Sequence, residues 1–164
     1  MKHHLFIISF FLFCFNFCNA QARDNSTLNA LSLELGKTGL IYNLNFDHKF
    51  RDKNYGFRLS VGSNLAKYLS LFSTGGGGYY LTGKSNNHLE LGLDINYLAV
   101  DESSDDERGV ILVYPDYSIN TYYASANIGY RKYGKKSMFR IGISPGFTKD
   151  EFIPGGYISY GLRF

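Results

Sequence analysis

The segment HLELGLDINYLAV, residues 88–100, decides how the chain is read. Leu89, Leu91, Leu93, Ile95 and Tyr97 alternate with Glu90, Gly92, Asp94 and Asn96. A strand sends successive side chains to opposite faces, so this period of two marks a strand with one apolar face; a helix would space its apolar positions by three and four. The rhythm continues outward in both directions. Toward the N-terminus it runs through Leu31, Leu33 and Leu35, then Leu40, Tyr42, Leu44 and Phe46, then Tyr55, Phe57, Leu59 and Val61. Toward the C-terminus it runs through Tyr122, Ala124, Ala126, Ile128 and Tyr130, then Phe139, Ile141 and Ile143, then Ile158, Tyr160, Leu162 and Phe164. Residues 68–82 are a less regular apolar stretch interrupted by Gly75–Gly78.

Between residues 31 and 46 the phase of the alternation changes. Apolar residues occupy odd positions up to Leu35 and even positions from Leu40. A tight turn at Gly36-Lys37-Thr38-Gly39 makes that change between two strands; one bulged strand is the alternative. With two strands there, eight are expected in all: about 28–35, 40–50, 54–63, 68–82, 88–100, 118–131, 138–147 and 155–164. Most are long enough to cross a bilayer as tilted strands, which takes roughly 9–11 residues. Arg51–Asn54, Gly83–Asn87 and Tyr133–Ser137 are short connections, whereas Asp101–Tyr117 and Thr148–Pro154 are the two longest. Short turns at one end and long loops at the other are the habit of transmembrane barrels, and an even strand count puts both termini at the short-turn end.

Composition narrows the class. The 164 residues suit one domain, with 17% aromatic and 19% charged residues, 18 glycines and 3 prolines. A net charge of +3 is too small to imply nucleic-acid binding. Residues 1–20 read as a signal peptide: Lys2, an apolar run from Leu5 to Phe15, and the small-residue ending Cys18-Asn19-Ala20. Residues 21–27 are a short N-terminal segment and 28–164 the barrel. Cys14 and Cys18 both leave with the leader, so the mature chain has no disulfide and no thiolate chemistry.

Alternation alone does not say which face is inside. A soluble lipocalin-like barrel binding an apolar ligand would turn its leucines inward; a membrane barrel would turn them to lipid. Here the polar face carries Ser32, Glu34, Asn43, Asn45, Arg58, Ser60, Glu90, Asp94, Asn96, Ser125, Asn127, Arg140, Ser144, Ser159 and Arg163, a set suited to a small polar lumen. Phe46, Tyr55, Tyr97, Tyr122, Tyr130, Tyr160 and Phe164 fall toward strand ends, as interfacial aromatic girdles do. An all-β, eight-stranded antiparallel up-and-down transmembrane barrel is therefore expected, in the outer membrane after secretion across the inner one.

Five stretches, LSLELGKTGLIYNLNFDHKF, YGFRLSVGS, HLELGLDINYLAV, ASANIGYRKYGKKSMFRIGISPGF and YISYGLRF, together resemble the small eight-stranded outer-membrane β-barrels of diderm bacteria, the OmpX-like and OmpA-barrel-like group. The resemblance spans residues 28–164 and is one of pattern, without a catalytic signature. It implies contact with outer-membrane lipid and lipopolysaccharide. It also implies an assembly signal for the barrel-assembly machinery in the last strand, at Tyr160, Leu162 and Phe164.

An eight-stranded barrel is just wide enough to be filled by its own side chains, so no open pore is expected. Glu34, Arg58, Glu90, Asp94, Arg140 and Arg163 are expected to form an ionic network across the lumen, because unpaired charges there would be costly. His48 and His88 fall at the short-turn end and read as solvated turn residues. A lipid-modifying enzyme such as a lipid A deacylase would need a His–Ser pair at the other end; no catalytic residue, metal site or cofactor is expected. The acidic run Asp101, Glu102, Asp105, Asp106 and Glu107 lacks calcium-loop spacing and reads as an external loop. With Tyr114 and Tyr117 that loop forms a candidate contact surface, and its apolar part, Gly109–Pro115, could prolong the neighbouring strands as a hairpin. Gly75–Gly78 lacks the rest of a phosphate loop and is assigned no ligand.

Overall fold

The computed structural model describes residues 28–37, 42–63, 69–83, 86–102, 121–149 and 152–164. The elements are β1 (Asn29–Gly36), β2 (Tyr42–Lys49), β3 (Tyr55–Ser63), β4 (Leu69–Leu81), β5 (Asn87–Glu102), β6 (Thr121–Tyr133), β7 (Ser137–Ile143), β8 (Gly146–Phe147), β9 (Phe152–Ile153) and β10 (Gly156–Arg163). Every pairing is antiparallel. The long strands follow one another as β5-β4-β3-β2-β1-β10-β7-β6, and β6 pairs back onto β5. The sheet is thus a cylinder of eight strands. Closure leaves none of these strands with an unpaired edge, which a backbone surrounded by hydrocarbon requires.

The phase change before residue 40 is resolved as two strands. Leu35 on β1 faces Tyr42 on β2 across the pair, and both point outward. Gly36 and Lys37 turn the chain with φ of 85° and 68°, and a Cβ at Gly36 would strike the Gly156 carbonyl, so glycine is required there. The glycine run does not break its strand: Gly75–Gly78 lie in the middle of β4, paired with β3 and β5 on either side.

Three expected boundaries are corrected. Residues 138–147 do not form one uninterrupted strand, because Ser144 and Pro145 separate β7 from β8. Pro145 has no N–H to offer a ladder, and its carbonyl accepts from Ala126 N at 3.0 Å instead. The connection 148–154 is correspondingly shorter than expected, since Phe152-Ile153 forms β9 and pairs with β8. Asp101 and Glu102 belong to β5, opposite Ser70 and Leu69, rather than to a loop. Residues 103–120, with Asp105, Asp106, Glu107, Tyr114 and Tyr117, and the segments 1–20 and 21–27 lie outside the described residues.

The polarity of the cylinder is inverted relative to a soluble protein. Leu33, Leu59, Leu93, Ile95, Ile143 and Leu162 point outward, with Leu93 72% and Ile95 68% exposed. Glu34, Glu90, Arg58, Arg131 and Arg140 are buried inside, with Arg140 fully covered. A soluble barrel enclosing an apolar ligand would show the opposite arrangement, so the lipocalin-like alternative is overturned. The outward residues form an apolar belt of the kind that faces lipid.

Candidate functional site

Strand register builds the lumen. Asp47 on β2 lies opposite Arg58 on β3, so their inward side chains form a direct cross-strand pair, with Arg58 Nε 3.2 Å from Asp47 Oδ1. Glu34 on β1 and Arg140 on β7 both face Ser159 on β10. The serine is short, and Arg140 Nη1 reaches past it to Glu34 Oε2 at 3.0 Å. Arg131 and Arg140 lie opposite each other on β6 and β7, a like-charge juxtaposition that would be unfavourable by itself.

Glu90 resolves that juxtaposition by receiving three arginines. Arg58 Nη2 donates to its Oε1 at 2.5 Å, and Arg131 Nε donates to its Oε2 at 2.6 Å. Arg140 donates to both oxygens, at 3.1 and 3.0 Å. Arg131 Nη2 also reaches Asp47 Oδ1 at 2.9 Å. Toward the long-loop end, Asp94 accepts from Lys37 Nζ at 2.5 Å and from Asn127 Nδ2 at 2.8 Å, and lies 3.8 Å from Arg58 Nη1. Among the described residues, four carboxylates (Glu34, Asp47, Glu90, Asp94) and four cations (Lys37, Arg58, Arg131, Arg140) thus form one connected, charge-balanced cluster. Guanidinium groups suit this position because their planar donors bind two carboxylates at once and stack on rings. Arg131 lies 4.1 Å above the Tyr79 ring and Arg140 4.8 Å above Tyr157.

Space for the cluster comes from glycine. A Cβ on Gly77 would strike the Asp94 carboxylate and the Leu93 carbonyl, and one on Gly75 would strike the Asn96 side chain. The glycine run is therefore a recess for neighbouring β5 side chains.

Five of the six residues named from sequence for the network meet in these pairs. Arg163 sits instead at the short-turn rim, because its register partner is Ala30, near the start of β1. There its Nη1 donates to the Gly134 carbonyl at 2.9 Å, and its guanidinium covers the Tyr133 ring at 4.4 Å. Asp47, Arg131 and Lys37 were missed. One further step of alternation along β2 and β6 reaches Asp47 and Arg131. Lys37 follows the strand, and its inward direction depends on turn dihedrals that periodicity does not encode.

The histidines are not solvated turn residues. His88 is buried, its Nδ1 2.8 Å from the Thr82 carbonyl. His48 is half-buried, its Nδ1 2.7 Å from Asn29 Oδ1 and its ring packed against Phe50 and Phe57. Apolar side chains are buried toward both ends of the barrel. Ala30, Leu81 and Met138 are buried toward the short turns, and Leu98, Tyr123 and Ile153 toward the long loops.

The fold has known counterparts. The chain is similar to the N-terminal β-barrel domain of Pseudomonas aeruginosa OprF, with 11% identity, a TM-score of 0.63, and coverage of 83% of this chain and 96% of that one. It is also similar to the Yersinia pestis outer membrane protein Ail, with 11% identity, a TM-score of 0.51, and coverage of 83% and 98%. No family model and no curated protein sequence matches the chain. The closed eight-stranded cylinder, its apolar outer belt and its ionic interior define the class: a small outer-membrane-type transmembrane β-barrel.

Proposed function

We propose that this barrel is a non-enzymatic outer-membrane anchor that presents its long-loop end at the cell surface and passes no solute. The observation that carries this reading is the cluster of eight charges in the lumen, with apolar side chains buried at both ends. Opening a path through it would separate buried ion pairs in a poorly solvated interior, which is costly. The hydrogen-bond partners of His48 and His88, Asn29 and the Thr82 carbonyl, also favour a structural role over a catalytic one. The test is conductance of the purified chain in planar bilayers. The reading requires no stepwise current; reproducible steps at low voltage would overturn it.

Two partners belong to the same proposal. Tyr160, Leu162 and Phe164 are exposed along or just after β10, the strand that closes on β1, and serve as the signal read by the barrel-assembly machinery. Deleting Phe164 should reduce the folded barrel recovered from cells while leaving detergent refolding intact. The acidic run from Asp101 to Glu107, with Tyr114 and Tyr117, is proposed as an external segment that contacts lipopolysaccharide or other surface partners.

A further inference from the structure

The short-turn end carries a group of cations that the lumen does not use. Residues 49–54 and 132–136 place Lys49, Arg51, Lys53, Lys132, Lys135 and Lys136 there, against one carboxylate, Asp52. All are exposed except Lys49, which is half-buried. Among the described residues none of the six forms an ion pair. Around the cylinder the order is β3, β2, β1, β10, β7, β6, so the two basic turns flank the paired termini. β5 ends, away from these turns, on two acidic residues, Asp101 and Glu102.

Aromatic rings adjoin both turns. Phe50 packs against His48, Tyr55 and Phe57 with centroids 5.3, 5.4 and 6.1 Å apart. Lys132 faces Phe139, which in turn faces Tyr160 on β10. Rings at the boundary of an apolar belt mark the headgroup level of a bilayer, and lysine and arginine stems just beyond them bring their charges to the phosphates.

We propose that the β2–β3 and β6–β7 turns bind the phosphates of anionic glycerophospholipids in the leaflet at the short-turn end. This rests on the membrane-barrel reading and adds a lipid preference to it. A leaflet presents phosphates around the perimeter at the depth where these cations lie, with acyl chains against the neighbouring rings. A soluble anion would need the cations to converge; here they are divided between two turns with β1 and β10 between them.

The test uses the full chain in nanodiscs containing phosphatidylcholine and phosphatidylglycerol, with retained lipids counted by native mass spectrometry. The wild type should retain phosphatidylglycerol selectively. The variant Arg51→Gln/Lys53→Gln/Lys135→Gln/Lys136→Gln should lose at least about fivefold of that preference, on the scale expected when cations leave an anionic surface. Lys149→Gln, toward the long loops, should change nothing. Heat-modifiable migration of the same samples reports whether the barrel is closed, so loss of the fold is distinguishable from loss of lipid. Unchanged retention in the fourfold variant, equal retention of phosphatidylcholine, or displacement by free glycerol phosphate would overturn the proposal. So would cosedimentation with isolated peptidoglycan that the variant abolishes, without any lipid preference.

Discussion

Arg140 grips both oxygens of Glu90, Nε to Oε2 at 3.1 Å and Nη2 to Oε1 at 3.0 Å, although 50 residues separate them. Glu90 thereby becomes the common acceptor of three arginines whose charges would otherwise repel inside a narrow cylinder. Sequence distance is immaterial once closure brings β5, β6 and β7 side by side.

Removing that acceptor leaves three guanidinium groups to share two hydrogen-bonded carboxylates, Asp47 for Arg58 and Arg131 and Glu34 for Arg140. Glu90→Ala should destabilise the barrel by roughly 3–5 kcal/mol, the cost of breaking a buried ionic cluster from one side. Urea unfolding in lipid vesicles measures it; a change below about 1 kcal/mol would show the cluster to be loosely solvated.

Arg140 and Glu34 should be energetically coupled. In a double-variant cycle of Arg140→Gln with Glu34→Gln, the costs should fall short of additive by about 0.5–3 kcal/mol, as for groups in direct contact. Arg163→Gln with Glu34→Gln should be additive, because Arg163 lies at the rim over Tyr133. Equilibrium unfolding of the single and double variants checks both.

The glycines of β4 should differ sharply. Gly77→Ala forces a Cβ into the Asp94 carboxylate and the Leu93 carbonyl, and should cost about 1–3 kcal/mol. At Gly78 the nearest atom to an added Cβ is the Gly56 carbonyl oxygen, 3.8 Å away, so Gly78→Ala should be close to neutral. Midpoints of urea unfolding separate the two.

The outer belt should penalise charge according to depth. Leu93→Arg, near the middle of β5, should cost about 2–4 kcal/mol, and Leu89→Arg, near the short turn, about 0–1 kcal/mol. Equal costs at the two positions would argue against a bilayer around the belt.

Much of this fold was legible because period-two alternation is a local signal. Leu89 to Tyr97 and Tyr122 to Tyr130 reveal their strands without knowledge of their neighbours. The lumen was legible only as a face. Which inward residues touch depends on register, set by pairings such as Arg131 with Arg140 and Asp47 with Arg58, and these are non-local. Arg163 shares the phase of Glu34's partner strand but not its level in the cylinder, and phase alone does not distinguish the two. Pro145 and the β8–β9 pairing were missed for a related reason: a two-residue strand is too short to show a period.

The central claim, apolar side chains toward lipid and charges within, is tested most directly with tryptophan, which the chain lacks. Single reporters introduced as Leu33→Trp, Leu93→Trp and Ile141→Trp, in vesicles containing brominated phospholipids, should be strongly quenched by the lipid and little affected by aqueous acrylamide. Quenching by acrylamide but not by brominated chains at these three positions would contradict the account.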